Sequence, residues 1–239
     1  MNLASPPTPF TSDHWAQIRL VVFDVDGTLY SQRPVRLAMA AALALHSLGR
    51  GSLRDARALG TFRRLREEAG ERDLEDFEAI LLDEAAERTG YPRDALHRLA
   101  SEWLEVRPLP HLRGARFADV DRLFSALRRT GRRIAAWSDH PAADKLKTLG
   151  LEADDWISAN DADLGRLKPN PAGLQRLMAR AGVQPHETLM IGDRVDRDGE
   201  AARRAGTFSL IRTRRPHPQF AGFRRYNDPI FQPILGAAA

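Results

Sequence analysis

A doubly wound α/β domain with a helical insertion is the fold class predicted by this sequence of 239 residues. Three observations carry the prediction. Short apolar runs recur at 18–24, 133–138, 156–159, 188–192 and 207–211. Helical patterns at about 116–130, 141–149, 171–182 and 198–205 alternate with the later runs. The stretch between the first two runs holds no strand pattern. Strands alternating with helices imply an open parallel sheet with right-handed crossovers, covered on both faces.

The first run, Ile18 to Asp24 (IRLVVFD), is rich in β-branched residues and ends on an acidic turn. A continuous apolar run fits a strand buried on both faces of a parallel sheet. Arg133 to Ser138, Trp156 to Ala159, Thr188 to Gly192 and Thr207 to Ile211 are comparable. The intervening helices end on turn punctuation at Thr130-Gly131, Leu149-Gly150 and Ala205-Gly206.

From Tyr30 to about Leu112 the pattern is helical throughout. Leu96, Leu99, Trp103 and Val106 share one helical stripe, and Leu74, Phe77, Leu81 and Ala85 another. Gly49-Arg50-Gly51, Gly70 and Thr89-Gly90-Tyr91-Pro92 divide the stretch into roughly four helices. So long a segment exceeds a βα loop and must form a small lobe of its own. The tail from Thr213 onward is rich in Arg, Pro and aromatic residues and lacks periodicity. Its arginines and aromatics (Arg212, Arg214, Arg215, Phe220, Phe223, Arg224, Arg225 and Tyr226) allow two readings: a grip on single-stranded nucleic acid, or aromatics packed back on the core. The second is preferred.

At 43% hydrophobic and 28% charged, the chain can bury a core. It has no cysteine, which excludes disulfides, thiolate nucleophiles, Cys-ligated zinc and iron–sulfur clusters. No window nears the ~18 apolar residues of a membrane span. Residues 1–15 lack the basic start and apolar run of a signal peptide. A soluble, cytoplasmic protein is expected. Lys plus Arg total 36 against 32 acidic residues, a net charge of +4. Only Lys145, Lys147 and Lys168 are lysines, so the pI near 9.9 reflects guanidinium groups that do not titrate. The arginines are scattered from Arg19 to Arg225, which argues against nucleic acid as a partner.

The chemistry-bearing residues cluster at predicted strand ends, where open α/β sheets place their ligands. Asp24-Val25-Asp26-Gly27-Thr28 closes the first strand. Two carboxylates around a tight turn suit a nucleophile and a proton-transfer group, although an Asp-x-Asp pair alone is more often a capped strand end. Ser138 closes the second strand; its hydroxyl and the N–H of Asp139 can hold a phosphate oxygen, or Ser138 can be an ordinary helix cap. Lys168 lies in a proline-stiffened loop (RLKPNP), where an oriented ammonium would neutralise a phosphoryl group. Ile191-Gly192-Asp193-Arg194-Val195-Asp196-Arg197-Asp198 follows the fourth strand. Asp193 there offers a hard oxygen ligand suited to magnesium, Asp198 is either a helix-start acid or a supporting ligand, and Asp196 reads as solvent-facing or structural.

DVDGT, the strand-end Ser138, the Lys168-Pro169 pair and GDRVDRD stand in the order of four motifs, and the chain from about Ile18 to Ile211 resembles the haloacid dehalogenase-like hydrolase superfamily. The resemblance implies a Rossmann-like core from residues 1–32 and 113–239, with residues 33–112 as a helical cap of the C1 type. It implies Asp24 as the nucleophile that becomes an aspartyl-phosphate, and Asp26 as the group that protonates the leaving alcohol and then activates water. It further implies Mg²⁺ held by Asp24, the Asp26 carbonyl and Asp193, with Asp198 supporting directly or through water, and Ser138, Lys168 and the Asp139 backbone binding the phosphoryl group. Ser138 is followed by Asp139 where many relatives have Asn or Gly.

Within such a family, dehalogenating members lack an aspartate at the position of Asp26, so its presence favours a phosphatase acting on a small-molecule phosphomonoester. A phosphosugar mutase is the nearest alternative. A phosphonatase would present a cap lysine, and residues 30–112 contain none. A non-catalytic nucleic-acid or protein-binding module is the alternative from another class. Arg33 and Arg36, just after the first motif, read equally well as contacts to a second anionic group of the substrate and as solvated helix-start residues.

Overall fold

Leu20–Phe23 (LVVF) is apolar at every position, and the fold buries all four residues by making them the centre of a sheet. The structure is a computed structural model that describes residues 10–161, 164–215 and 217–237. Its strands are β1 (Leu20–Phe23), β2 (Arg133–Ser138), β3 (Asp155–Ser158), β4 (Thr188–Gly192), β5 (Phe208–Arg212) and β6 (Ala221–Phe223). They form one six-stranded sheet in the order β3-β2-β1-β4-β5-β6, with every pairing parallel. The first five match the predicted strands to within a residue or two. The connections run outward from β1 in both directions, so β1 lies at the switch point where such sheets form ligand crevices.

The alternation of β1 feeds two layers. Val21 and Phe23 pack with α6 (Val120–Arg129), α7 (Ala143–Leu149) and the C-terminal aromatics, and the Phe23 and Phe124 rings lie 4.6 Å apart. Leu20 and Val22 face α8 (Ala172–Ala181) and α9 (Glu200–Ala205) on the other side. Each such buried side chain contributes roughly 1.5–3 kcal/mol. The prediction of a doubly wound core therefore holds.

Between β1 and β2 the chain builds α1 (Gln32–Arg50), α2 (Arg54–Arg72), α3 (Phe77–Thr89) and α4 (Arg93–Ala100), then the short α5 (Leu112–Ala115). The first four share an apolar cluster of their own, centred on Phe62, Leu65, Phe77, Leu81 and Leu96 and reaching the sheet side through Ala159 and Leu167. The predicted Leu96–Val106 stripe breaks at its end. Trp103 is buried but Val106 is exposed, because α4 runs into a π-helical turn over Ser101–Val106. A wider turn advances the helix less per residue and rotates the last position out of the stripe.

The tail packs its aromatics inward, as preferred. Phe220, Phe223, Tyr226 and Phe231 are buried, and the Tyr226 hydroxyl donates to the carbonyl of Thr28 at 2.7 Å, tying the tail to the first motif. Strand β6 and the terminal helix α10 (Gln232–Ala237) have no counterpart in the sequence reading, since three residues, AGF, carry no apolar run. Among the described residues, no helix is long and apolar enough to cross a membrane.

Candidate active site

The register of the sheet brings the motifs together. Phe23 pairs with Ala136 of β2 and Ile191 of β4, so Asp24, Ser138 and Asp193 leave the sheet along one edge. The turn after β1 depends on Gly27, at φ +94°: a Cβ there would lie 2.2 Å from an Asp193 carboxylate oxygen. Only glycine lets the first and fourth motifs approach this closely.

Asp24, Asp193 and Asp198 each offer an oxygen within 4.8 Å of the others. The buried Lys168 ammonium sits between two of them, 2.6 Å from Asp24 and 2.7 Å from Asp198. The Thr28 hydroxyl donates to the second Asp24 oxygen at 2.8 Å. Asp198 lies in a π-helical turn, Val195–Gly199, and its other oxygen accepts the backbone N–H groups of Asp193 and Arg194 at 3.1 and 3.0 Å. Both Asp198 oxygens are thus already engaged by the protein.

The electrostatics follow from burial. Desolvation pushes the Asp24 carboxyl up, Lys168 opposes this, and Asp198, Asp193 and Asp26 add repulsion; the net shift is upward. Asp193 rises to about 7, through burial first and Asp198 second. Burial works against the Lys168 charge, but Asp198 and Asp24 outweigh it and hold the ammonium firmly protonated. Three carboxylates thus share one ammonium in a desolvated site. That donor set, all hard oxygen and short of positive charge, fits a divalent cation.

Asp26 belongs to a second cluster. Lys145, buried on α7, donates to both of its oxygens at 2.7 and 2.5 Å, and the Tyr30 hydroxyl donates to one of them. Burial alone would raise the Asp26 carboxyl, yet Lys145, His140 and the hydrogen bonds of Lys145 and Tyr30 hold it well below the usual range. As it stands, Asp26 is an anionic acceptor. The Ser138 hydroxyl donates to it at 3.3 Å and accepts the His140 N–H at 3.1 Å. Ser138 is fully buried. Asp139 lines the cavity; its carboxylate accepts the Lys168 N–H at 3.0 Å, and its carbonyl accepts the Arg66 guanidinium. Asp196 is exposed and pairs with Arg194.

A cavity of about 1190 Å³ lies between these strand ends and the helical insert. Its two sides are pinned across the gap. Arg197 donates to the carbonyls of Lys168 and of Glu67 in α2, and a Cβ on Gly70 would fall 1.2 Å from that guanidinium. Arg194 pairs with Glu67, and Arg166 with Asp73 and Glu75.

The structure therefore gathers Asp24, Lys168, Asp193 and Asp198 in one cluster and joins Asp26 and Ser138 beside it. Sequence reasoning missed Lys145, Thr28, Tyr30, Arg66 and Arg197. A signal existed for Lys145: the scarcity of lysine that singled out Lys168 applies to it equally, and it lies seven residues after Ser138.

The family model of the haloacid dehalogenase-like hydrolases matches residues 18–206. A phosphoglycolate phosphatase of Nitrosospira multiformis is 28% identical over 194 residues, covering 80% of this chain and 81% of that protein. A glyceraldehyde 3-phosphate phosphatase of Methanopyrus kandleri is 28% identical over 210 residues, covering 83% and 84%. Among solved structures, a phosphatase from Thermococcus onnurineus superposes with a TM-score of 0.62 at 24% identity, covering 92% of this chain and 98% of that one. A 2-haloacid dehalogenase from Pseudomonas syringae gives 0.63 at 23%, with the same coverage. At those identities the likeness is one of fold.

Proposed function

Because this chain belongs to the haloacid dehalogenase-like hydrolase family, we propose that it is a magnesium-dependent phosphatase that hydrolyses a small-molecule phosphomonoester through an aspartyl-phosphate. The observation that carries the reading is the gathering of Asp24, Asp193 and Asp198 around Lys168, with an anchored Asp26 alongside. The phosphatases among the relatives support the reaction class. Residues 33–112 act as the cap over a core of 1–32 and 113–239.

Asp24 attacks the phosphorus with one carboxylate oxygen, and the bond from phosphorus to the alcohol oxygen breaks. Lys168 lies against the nucleophile and screens its charge from the incoming phosphoryl oxygens. Asp26 gives a proton to the leaving alcohol, then takes one from the water that cleaves the Asp24–phosphorus bond. Its resting state is anionic, so the acid half begins with proton uptake at the Asp26–Lys145 pair, and Lys145 fixes the carboxyl for both transfers. Magnesium would be held by Asp24, Asp193 and the Asp26 carbonyl, with Asp198 in support. When bound, the metal offsets the charge of the nucleophile and of the phosphate. Ser138, Lys168 and the Asp139 backbone bind the phosphoryl group, and the Ser138 hydroxyl also bonds Asp26.

The test is a phosphate-release screen over sugar phosphates, nucleotides and small organic phosphates, with magnesium or with chelator. Release that depends on magnesium and disappears in Asp24→Asn is expected. Release that survives Asp24→Asn, or that ignores chelation, sinks the mechanism. A phosphohexose interconverted without release would point to a mutase instead.

A further inference from the structure

Three arginines on the helical side of the cavity, Arg33, Arg36 and Arg63, are not accounted for by the hydrolytic steps, and the last two act on each other. Arg36 on α1 and Arg63 on α2 both line it. Neither donates a hydrogen bond or forms an ion pair among the described residues. Their positive fields oppose each other, and packing around Arg63 works against its charge before Arg36 adds to the penalty. The acid that favours Arg63, Glu67, already carries an ion pair with Arg194.

Their position relative to Asp26 gives them a role. Arg36 acts electrostatically on Tyr30, whose hydroxyl is bonded to Asp26. Arg63 acts on His140, which in turn acts on Asp26. Both arginines therefore stand on the flank of the site where Asp26 meets the leaving alcohol. Arg212, another arginine of the cavity wall, feels Asp193 instead and stacks over Phe117 at 3.5 Å, on the metal flank.

Two guanidiniums that line one cavity, neither of them bonded to a carboxylate, form a receptor for an anion, since each presents a planar fork of donors to carboxylate or phosphate oxygens. Resting on the phosphatase reading, the geometry points to Arg36 and Arg63 as a clamp for a second anionic group on the leaving alcohol. The substrate class is then a phosphomonoester that carries a carboxylate or a second phosphate. The volume of about 1190 Å³ leaves room for both ends of such a molecule.

The experiment compares matched substrates on the full chain with magnesium. Glycerol 3-phosphate is set against 3-phosphoglycerate as the carboxylate arm, and fructose 6-phosphate against fructose 1,6-bisphosphate as the phosphate arm. In at least one arm, kcat/KM is expected to favour the doubly anionic member by about tenfold or more. That ratio falls toward one in the Arg36→Gln/Arg63→Gln double variant. It stays unchanged in Arg64→Gln, an exposed neighbour outside the cavity whose loss removes one of the two charges that the double variant removes. Ratios near one in the parent chain, or an undiminished ratio in the double variant, overturn the clamp. Calorimetric binding of the same four compounds to Asp24→Asn reads the clamp without turnover. Discrimination there that vanishes with Arg36 and Arg63 supports it even if no ester is hydrolysed, a result that sinks only the phosphatase reading. Hydrolysis without discrimination sinks only the clamp.

Discussion

The two walls of the cavity follow opposite rules. On the sheet side, Lys168 answers Asp24 and Asp198, and Lys145 answers Asp26, all within 2.5–2.7 Å. On the helical side, Arg36 and Arg63 face the same space without partners among the described residues. Burial explains the difference. The two lysines are 4% and 1% exposed, where an unpaired charge is heavily penalised, whereas the arginines keep contact with water. The paired side chains suit bond making and breaking, whereas Arg36 and Arg63 are open to charge that a ligand supplies.

Breaking the paired wall at its reactive atom has the largest expected effect. Asp24→Asn keeps an acceptor for Lys168 but removes the proposed nucleophile, and phosphate release should fall on the order of a thousandfold or more. The circular dichroism spectrum should not change. Retention of more than a tenth of the parent rate would separate Asp24 from the chemistry.

Lys168→Met comes next and tests whether this wall is structural as well as reactive. It leaves Asp24 and Asp198 facing each other without their cation, which costs about 3–5 kcal/mol for a broken buried pair. Urea denaturation of the metal-free variant should show that loss, with magnesium restoring part of it, and release should fall roughly a hundredfold. Equal stability of parent and variant would mean that the pairing carries no structural load.

Lys145→Met is the subtler break. Asp26 keeps the Tyr30 and Ser138 hydroxyls but loses both ammonium hydrogen bonds. A fall in kcat of about tenfold to a hundredfold, with KM nearly unchanged, marks a residue that positions a proton-transfer group. Partial rescue by Lys145→Arg would separate this from simple loss of packing. Parallel changes in kcat and KM would place Lys145 in substrate binding instead.

How much of this was legible in the sequence divides along the same two walls. The strand ends carry their message locally: an apolar run, then DVDGT or GDRVDRD, places Asp24 and Asp193 without knowledge of anything distant. Lys145 was illegible in that way, because its role depends on the inward turn of α7 and on a partner 119 residues away. Arg197 was hidden for the same reason, since its partners Lys168 and Glu67 lie in other elements. Val106 failed because a stripe at helical spacing assumes a uniform helix, and the π-helical turn broke that assumption. Strand β6 is too short to show periodicity, and it forms because β5 offers an edge to pair with. Arg36 was ambiguous as a residue after a motif; it became readable only with Arg63 beside it.

The smallest expected effect concerns the charge deficit of the paired wall. Asp193 is raised from 3.8 to about 7 by burial and by Asp198, so across that interval the folded chain holds a proton that the unfolded chain has released. In the metal-free protein this group therefore makes stability fall as pH rises from about 4 to 7, and the penalty is complete above 7. On the proposed reading magnesium binds the ionised carboxylates and displaces that proton, so its stabilising effect is expected to grow over the same interval. Saturating magnesium should raise Tm by a few degrees more at pH 8 than at pH 5.5, a shift on the order of what 1 kcal/mol produces in a chain of this size. Asp193→Asn should flatten the metal-free pH dependence and shrink the magnesium increment at pH 8. An increment equal at both pH values would show that the three carboxylates are not short of positive charge, and the contrast between the two walls would then rest on the arginines alone.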